Sequence, residues 1–216
     1  MNKKKLIIFD LDGTLIDTVN DLNKAVNYAI NKFGFEQRTI LQTRNDIGNG
    51  VAVLIAKSIP NGRENPYYQD CLSAFKAYYR EHYFDLSLPY NGVIDVLASL
   101  KEKGYTLAVV SNKFNEGANK MIKHFFKDTF AIIQGEEPPL KTKPSSDMVD
   151  YVLKELNVKR EDALYVGDTE VDYQTAINSS LDVVLVSYGY RTREQLEEKI
   201  KNASIIDAPH KLLDIL

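Results

Sequence analysis

Five short apolar runs constrain what this chain can fold into: Leu6–Phe9, Tyr105–Val110, Phe130–Ile133, Ala163–Val166 and Val183–Val186. Each is unbroken rather than alternating, the pattern of strands buried on both faces of a parallel sheet. Long segments separate them, as crossovers between parallel strands require. Two of these segments read clearly as helices. Residues 93–103 end at Gly104, and residues 146–156 place Met148, Val149, Val152, Leu153 and Leu156 on one face. The expectation is an α/β pattern, with helices covering a five-stranded parallel sheet.

The first gap is too long for one crossover. Within residues 20–34, Leu22, Ala25, Val26, Ala29, Ile30 and Phe33 recur at helical spacing, and Gly34 can end the helix. Residues 50–59 and 67–85 also read as helical, with Pro60, Asn61, Gly62 and Pro66 marking a turn between them. Residues 17–86 are therefore expected to form an all-α insertion. Residues 1–16 and 87–216 are expected to form the α/β core.

Composition excludes several classes. The chain has 216 residues, 27 Lys+Arg against 30 Asp+Glu, and a formal net charge of -3, so no broad basic surface is available for nucleic acid or membrane. Any anionic ligand must be held by locally placed cations. The single cysteine, Cys71, permits neither an intrachain disulfide nor a cysteine metal site, and its helical apolar context suits a small core residue. The start, MNKKKLIIFD, is basic, but its apolar run is too short for a signal peptide. A cytoplasmic protein, monomeric or homodimeric, is expected.

Polar residues load the strand ends. Asp10, Asp12 and Thr14 follow the first run, Ser111 and Asn112 the second, and Asp168 and Asp172 the fourth. Lys143, before Pro144, lies ahead of the helix leading to that fourth run. Singly, each has a plain structural explanation: a turn at Asp12-Gly13, a helix cap at Asp168, a solvated Asp172, a helix start at Ser111-Asn112, a surface Lys143. Together they occupy corresponding ends of several strands, where ligands of open α/β sheets bind. Clustered carboxylates repel, and a divalent cation with a lysine relieves that repulsion. Oxygen donors without Cys or clustered His favour Mg²⁺.

These residues also carry a resemblance. "DLDGTL" at 10–15, Ser111, Lys143-Pro144 and "GDTEVD" at 167–172 are similar to the four motifs of the haloacid dehalogenase superfamily phosphatases. A chance DxDGT in this length is on the order of one in a thousand. "GNG" at 48–50, "SNK" at 111–113 and "YGYRTREQL" at 188–196 resemble the phosphoglycolate phosphatase-like group. Ser146 stands where the third motif often has a second proline, and Asn178-Ser179-Ser180 replaces a common Ala-Gly helix end. Neither change removes a catalytic group.

The resemblance implies a Rossmann-like three-layer core with an inserted helical cap, acting on a small phosphorylated metabolite such as 2-phosphoglycolate. It implies that Asp10 attacks phosphorus and that Asp12 is the general acid and then the base. Mg²⁺ would be held by Asp10, the main-chain carbonyl of Asp12 and Asp168. Thr14, Ser111, Asn112 and Lys143 would bind the phosphoryl group, Lys143 would also neutralise Asp10, and Asp172 would orient Lys143 or a metal-bound water. Gly48, Asn49 and Gly50, with Arg44, are expected to face the rest of the substrate. A pyrophosphatase remains open. A sugar phosphomutase is disfavoured because residues 17–35 contain no histidine. A dehalogenase does not need an acid at Asp12. A phosphoryl-accepting receiver would place its aspartate on a later strand without a large cap, and a non-catalytic binding relative would lack a motif residue.

Overall fold

The computed structural model describes residues 4–201 and 203–216. The basic start read above lies partly outside them, at residues 1–3. Contacts divide the chain into two units: one runs up to Ile16 and resumes over Pro89–Leu216, the other is Asp17–Leu88.

Strand β1 (Leu6–Phe9) leads to the short β2 (Ile16–Asp17), where the chain leaves the first unit. The helical unit consists of α1 (Val19–Asn31), α2 (Ile40–Asp46), α3 (Val51–Ser58) and α4 (Tyr68–His82). Its organising contact is α1 against α4. Leu22, Ala25, Val26, Ala29 and Ile30 are buried along α1, and Cys71, Phe75 and Tyr79, four residues apart, along α4. Apolar periodicity does not foreshadow α2, whose Ile40 and Leu41 are exposed. A capping box makes it: Thr39 Oγ1 accepts from the Gln42 N–H, and the Gln42 side chain accepts from the Thr39 N–H. This unit ends two residues later than residue 86. Asp21 accepts from the Leu86 N–H at 3.0 Å and the Ser87 hydroxyl at 2.6 Å, tying that segment to α1.

Strand β3 (Leu88–Pro89) pairs with β2 and returns the chain. There follow α5 (Val93–Glu102), β4 (Thr106–Phe114), α6 (Asn115–Phe126), β5 (Ile132–Glu136), α7 (Asp147–Glu155) and β6 (Ala163–Gly167). The chain ends with α8 (Glu170–Asn178), β7 (Asp182–Val186), α9 (Arg193–Lys199), β8 (Ser204–Ile206) and α10 (Leu212–Ile215). Among the described residues the sheet has six strands in the order β5-β4-β1-β6-β7-β8, and its pairings are parallel.

The expected count of five is thus corrected to six. Strand β8 has only three residues and one buried side chain, too few to form an apolar run. Phe130 is not in the strand expected for it. Its ring packs edge-on against Phe9 and Phe126, at 6.3 and 5.9 Å between centroids. Strand β4 runs four residues past Val110, carrying Ser111, Asn112 and Lys113 with it.

Alternation along β1 explains the three layers. Leu6 and Ile8 pack with Met148, Val149, Val152 and Leu153 of α7. Phe9, on the other face, lies with Val93, Val96 and Leu97 of α5 and Leu212 of α10. All four β1 side chains are buried, and each contributes about 1.5–3 kcal/mol by leaving water.

Candidate active site

β1 is flanked by β4 and β6, so Asp10 and Asp168, which follow β1 and β6, and Ser111, toward the end of β4, lie on neighbouring strands at the carboxyl side of the sheet. The turn after Asp10 is fixed by main-chain bonds: the Leu15 and Ile16 N–H groups donate to the Leu11 carbonyl, and the Gly13 N–H donates to the Ile16 carbonyl. Gly13 has φ +90°, and a Cβ there would lie 2.3 Å from Asp168 Oδ2. Only glycine lets the turn approach Asp168 so closely. Gly189 crowds it from the other side, where a Cβ would meet the Gly13 carbonyl oxygen at 2.1 Å.

Lys143 binds both Asp10 Oδ1, at 2.8 Å, and Asp172 Oδ1, at 2.7 Å. Its main chain is held by Asn112, whose Oδ1 accepts from the Lys143 N–H at 2.8 Å and whose Nδ2 donates to the Lys143 carbonyl at 3.1 Å. The Asn112 carboxamide, expected on phosphate, therefore places Lys143. The Lys143–Pro144 peptide is cis. Thr14 is fully buried, and its hydroxyl donates to Asp168 Oδ1 at 3.2 Å. Ser111 is 2% exposed, and its Oγ accepts from the Lys113 N–H.

Asp172 is the hub. Its Oδ1 accepts from Lys143 and the Tyr165 hydroxyl, and its Oδ2 accepts from the Asp168 and Thr169 N–H groups and the Thr169 hydroxyl. Carboxylate oxygens of Asp10, Asp168 and Asp172 lie within 4.8 Å of one another. The saturated Asp172 is the least suited of the three to ligate a metal. Its bonds orient Lys143 and cap α8.

Burial drives the electrostatics. It pushes the Asp10 carboxyl up to about 7, with Asp172 adding to the rise and Lys143 opposing it. Asp168 is raised well above its ordinary value by burial, then by Asp172 and Asp10, against the Tyr190 N–H and Lys143. For Lys143, burial alone acts downward, but Asp10 and Asp172 outweigh it and hold the ammonium well above its ordinary value. One lysine thus faces three buried carboxylates. The residues fit a hard divalent cation: the donors are oxygens, and Asp10 and Asp168 resist ionisation until more positive charge arrives.

Several residues around the site entered the sequence analysis only within the motifs SNK and YGYRTREQL, with no role attached to them. Lys113, 2% exposed at its side chain, binds Asp12 Oδ1 at 3.2 Å. The SNK motif had marked it, and its position two residues after Ser111 on an extended strand puts it on the same side as Ser111. The Tyr190 N–H donates to Asp168 Oδ2 at 2.8 Å, and the Tyr188 hydroxyl donates to the Thr14 carbonyl at 3.2 Å. Arg191, buried, grips Glu170 through Nε and Nη2 at 3.0 and 3.2 Å, anchoring that loop to α8. Main-chain donors leave no composition signal. Gly48, Asn49 and Gly50 belong to the helical unit, between α2 and α3. Gly48 and Gly50 have positive φ, and Gly50 is the residue before α3.

Comparison with known proteins bears on the family of the chain. Residues 7–186 match the family described as haloacid dehalogenase-like hydrolase. A phosphoglycolate phosphatase of Aliivibrio fischeri is 32% identical over 204 residues, covering 90% of this chain and 88% of the relative. One of Aquifex aeolicus is 32% identical over 187 residues, 86% of each chain. A solved structure from Lactobacillus delbrueckii subsp. bulgaricus, provisionally named a phosphoglycolate phosphatase, superimposes with a TM-score of 0.93 at 33% identity, covering 99% of this chain and 98% of that one. The chain therefore belongs to the haloacid dehalogenase-like hydrolases and, among them, stands with the phosphoglycolate phosphatase-like enzymes.

Proposed function

We propose that the chain is a Mg²⁺-dependent phosphomonoesterase that works through an aspartyl phosphate on Asp10. One observation carries this reading. Asp10 is held through a single oxygen: Oδ1 accepts from the Leu11 N–H at 2.7 Å and from Lys143 at 2.8 Å. The carboxylate is fixed and partly neutralised, and Oδ2 is the oxygen assigned to attack.

In the first half-reaction Asp10 Oδ2 forms a bond to phosphorus as the ester P–O bond breaks. Asp12 gives its proton to the departing alkoxide. In the second half, water attacks phosphorus and passes a proton to Asp12. The Asp10–phosphorus bond breaks, releasing phosphate and restoring both residues. Lys143, with Ser111, offsets charge on the phosphoryl oxygens. Asp10, Asp168 and the Asp12 carbonyl would hold Mg²⁺, which when bound supplies charge stabilisation and orients the phosphoryl group.

The substrate class assigned is a small phosphorylated acid, 2-phosphoglycolate first, on the strength of the relatives' names and the large helical insertion. For that unit we assign recognition rather than chemistry, with residues 48–50 as its reading loop, because positive-φ glycines let main-chain N–H groups approach a ligand. Turnover against a panel of phosphorylated metabolites, with Mg²⁺ and with EDTA, tests the reading. Hydrolysis of small phosphorylated acids only with Mg²⁺ is expected. No release of phosphate from any ester would overturn it.

A further inference from the structure

The DxD pair has two carboxylates, and the structure gives each its own buried lysine. Lys143 serves Asp10, and Lys113 serves Asp12 through Oδ1 at 3.2 Å. A lysine is rarely buried without a specific partner, and the Lys113 side chain is 2% exposed against 18% for Asp12. We infer that Lys113 is the positioning residue for Asp12, holding its carboxyl where proton transfer takes place. This rests on the reading of Asp12 as general acid and base.

The local fold is built to deliver that ammonium. Strand β4 continues past Ser111, and its register against β5 shifts between Val110 and Phe114. The Lys113 N–H donates to Ser111 Oγ at 3.2 Å. Its carbonyl is backed by Gly135, where a Cβ would sit 2.6 Å away. The Lys113 N–H is therefore held by Ser111 Oγ, its carbonyl lies where a side chain at 135 would not fit, and the side chain projects from β4 rather than a loop. Asp12 lies on the turn before Gly13. A general acid–base must lie within about 2.6–3.2 Å of the proton it moves. A misplacement of about 1 Å lowers rate on the order of 10²-fold. A charged bond from β4 gives that turn residue a fixed direction.

A positioning role differs from a merely structural one in its dependence on the leaving group. Phosphoenzyme formation sets kcat/KM. Its chemistry needs the Asp12 proton when the leaving group is an alkoxide and hardly needs it for p-nitrophenolate. Lys113→Gln should therefore lower kcat/KM on alkyl phosphates by about 10- to 10²-fold, and at least about 10-fold more than on p-nitrophenyl phosphate. Asp12→Asn should show a split of the same sense. Adding Lys113→Gln to Asp12→Asn should cost nothing further, because the lysine acts through the aspartate. Lys113→Met, which keeps the apolar stem, repeats the measurement if circular dichroism shows the Gln variant to be unfolded. Equal losses on both ester types, or additive losses in the double variant, would overturn the assignment. A loss confined to esters whose alcohol carries a carboxylate would make Lys113 a substrate contact and overturn it equally. If the wild type hydrolyses no ester, or Asp12→Asn shows no split, the catalytic reading of Asp12 fails instead.

Discussion

The two units reach order by different means. In the α/β unit the decisive contacts are polar and buried: Asp10, Thr14, Lys143, Asp168 and Asp172 are all under 10% exposed. Its glycines at 13 and 189 leave no room for a methyl group. In the helical unit the decisive contact is an apolar seam between α1 and α4, and Gly34 and Gly50 have nothing near an added Cβ. Tyr28, Ile40, Leu41, Tyr67, Leu86 and Leu88 stand exposed there. The polar cluster of one unit is specified by charge balance at fixed positions, the seam of the other by shape and packing. Change in the first should alter chemistry, and change in the second should alter stability or choice of substrate.

The largest expected effect is Asp10→Asn. The amide is nearly isosteric but a poor nucleophile, so turnover should fall by about 10⁴-fold or more. Phosphate release and circular dichroism, measured together, check this. Near-normal activity would remove the nucleophile from Asp10.

Next comes Lys143→Met. It leaves Asp10 and Asp172 without their shared cation, so turnover should fall by about 10²–10³-fold. Breaking a buried pair also destabilises, by about 3–5 kcal/mol. If thermal unfolding and kcat both stay near wild type, charge balance is not what specifies this polar cluster.

Metal and pH come third. Asp10, raised to about 7, binds a proton in the folded chain over a range where the unfolded carboxyl has lost it. Metal-free stability should therefore fall as pH rises from about 4 through about 7. Protons compete with the cation, so Mg²⁺ should raise the melting temperature more at pH 8 than at pH 5. Ca²⁺, larger and more loosely coordinated, should inhibit hydrolysis. A Mg²⁺ shift that is larger at low pH would contradict the assignment of Asp10 as a ligand.

The helical unit should respond more mildly. Alanines at 48–50 should reduce turnover of phosphoglycolate by more than that of p-nitrophenyl phosphate. An equal effect on the two esters would show that this loop does not read the leaving group. Thr39→Ala removes the capping box of α2, at about 1 kcal/mol, and should lower the melting temperature by about 2–4 °C without changing kcat.

The apolar runs at 6–9, 163–166 and 183–186 and the helix faces of α1 and α7 were legible because each repeats a period set by backbone geometry. Asp10, Lys143, Asp168 and Asp172, which the structure brings together, were legible from polar residues following the apolar runs and from the motifs that carry the resemblance. Strand β8, the capping-box helix α2 and the displaced Phe130 were not. A three-residue strand, a helix held by its cap and a ring that packs edge-on have no periodic signature.

The sequence by itself thus determined the parallel sheet apart from β8, the helical insertion and the convergence of Asp10, Asp168 and Asp172, since hydrophobic period and residue type are local properties of the chain. Only the tertiary structure decided how the charges pair. It assigned Lys143 to Asp10 and Asp172, gave Lys113 to Asp12, turned Asn112 toward the Lys143 main chain, and set the Tyr190 N–H on Asp168. Partners 22 to 133 residues apart are fixed by strand order and register, and each buried charge must take whichever counter-charge that packing delivers.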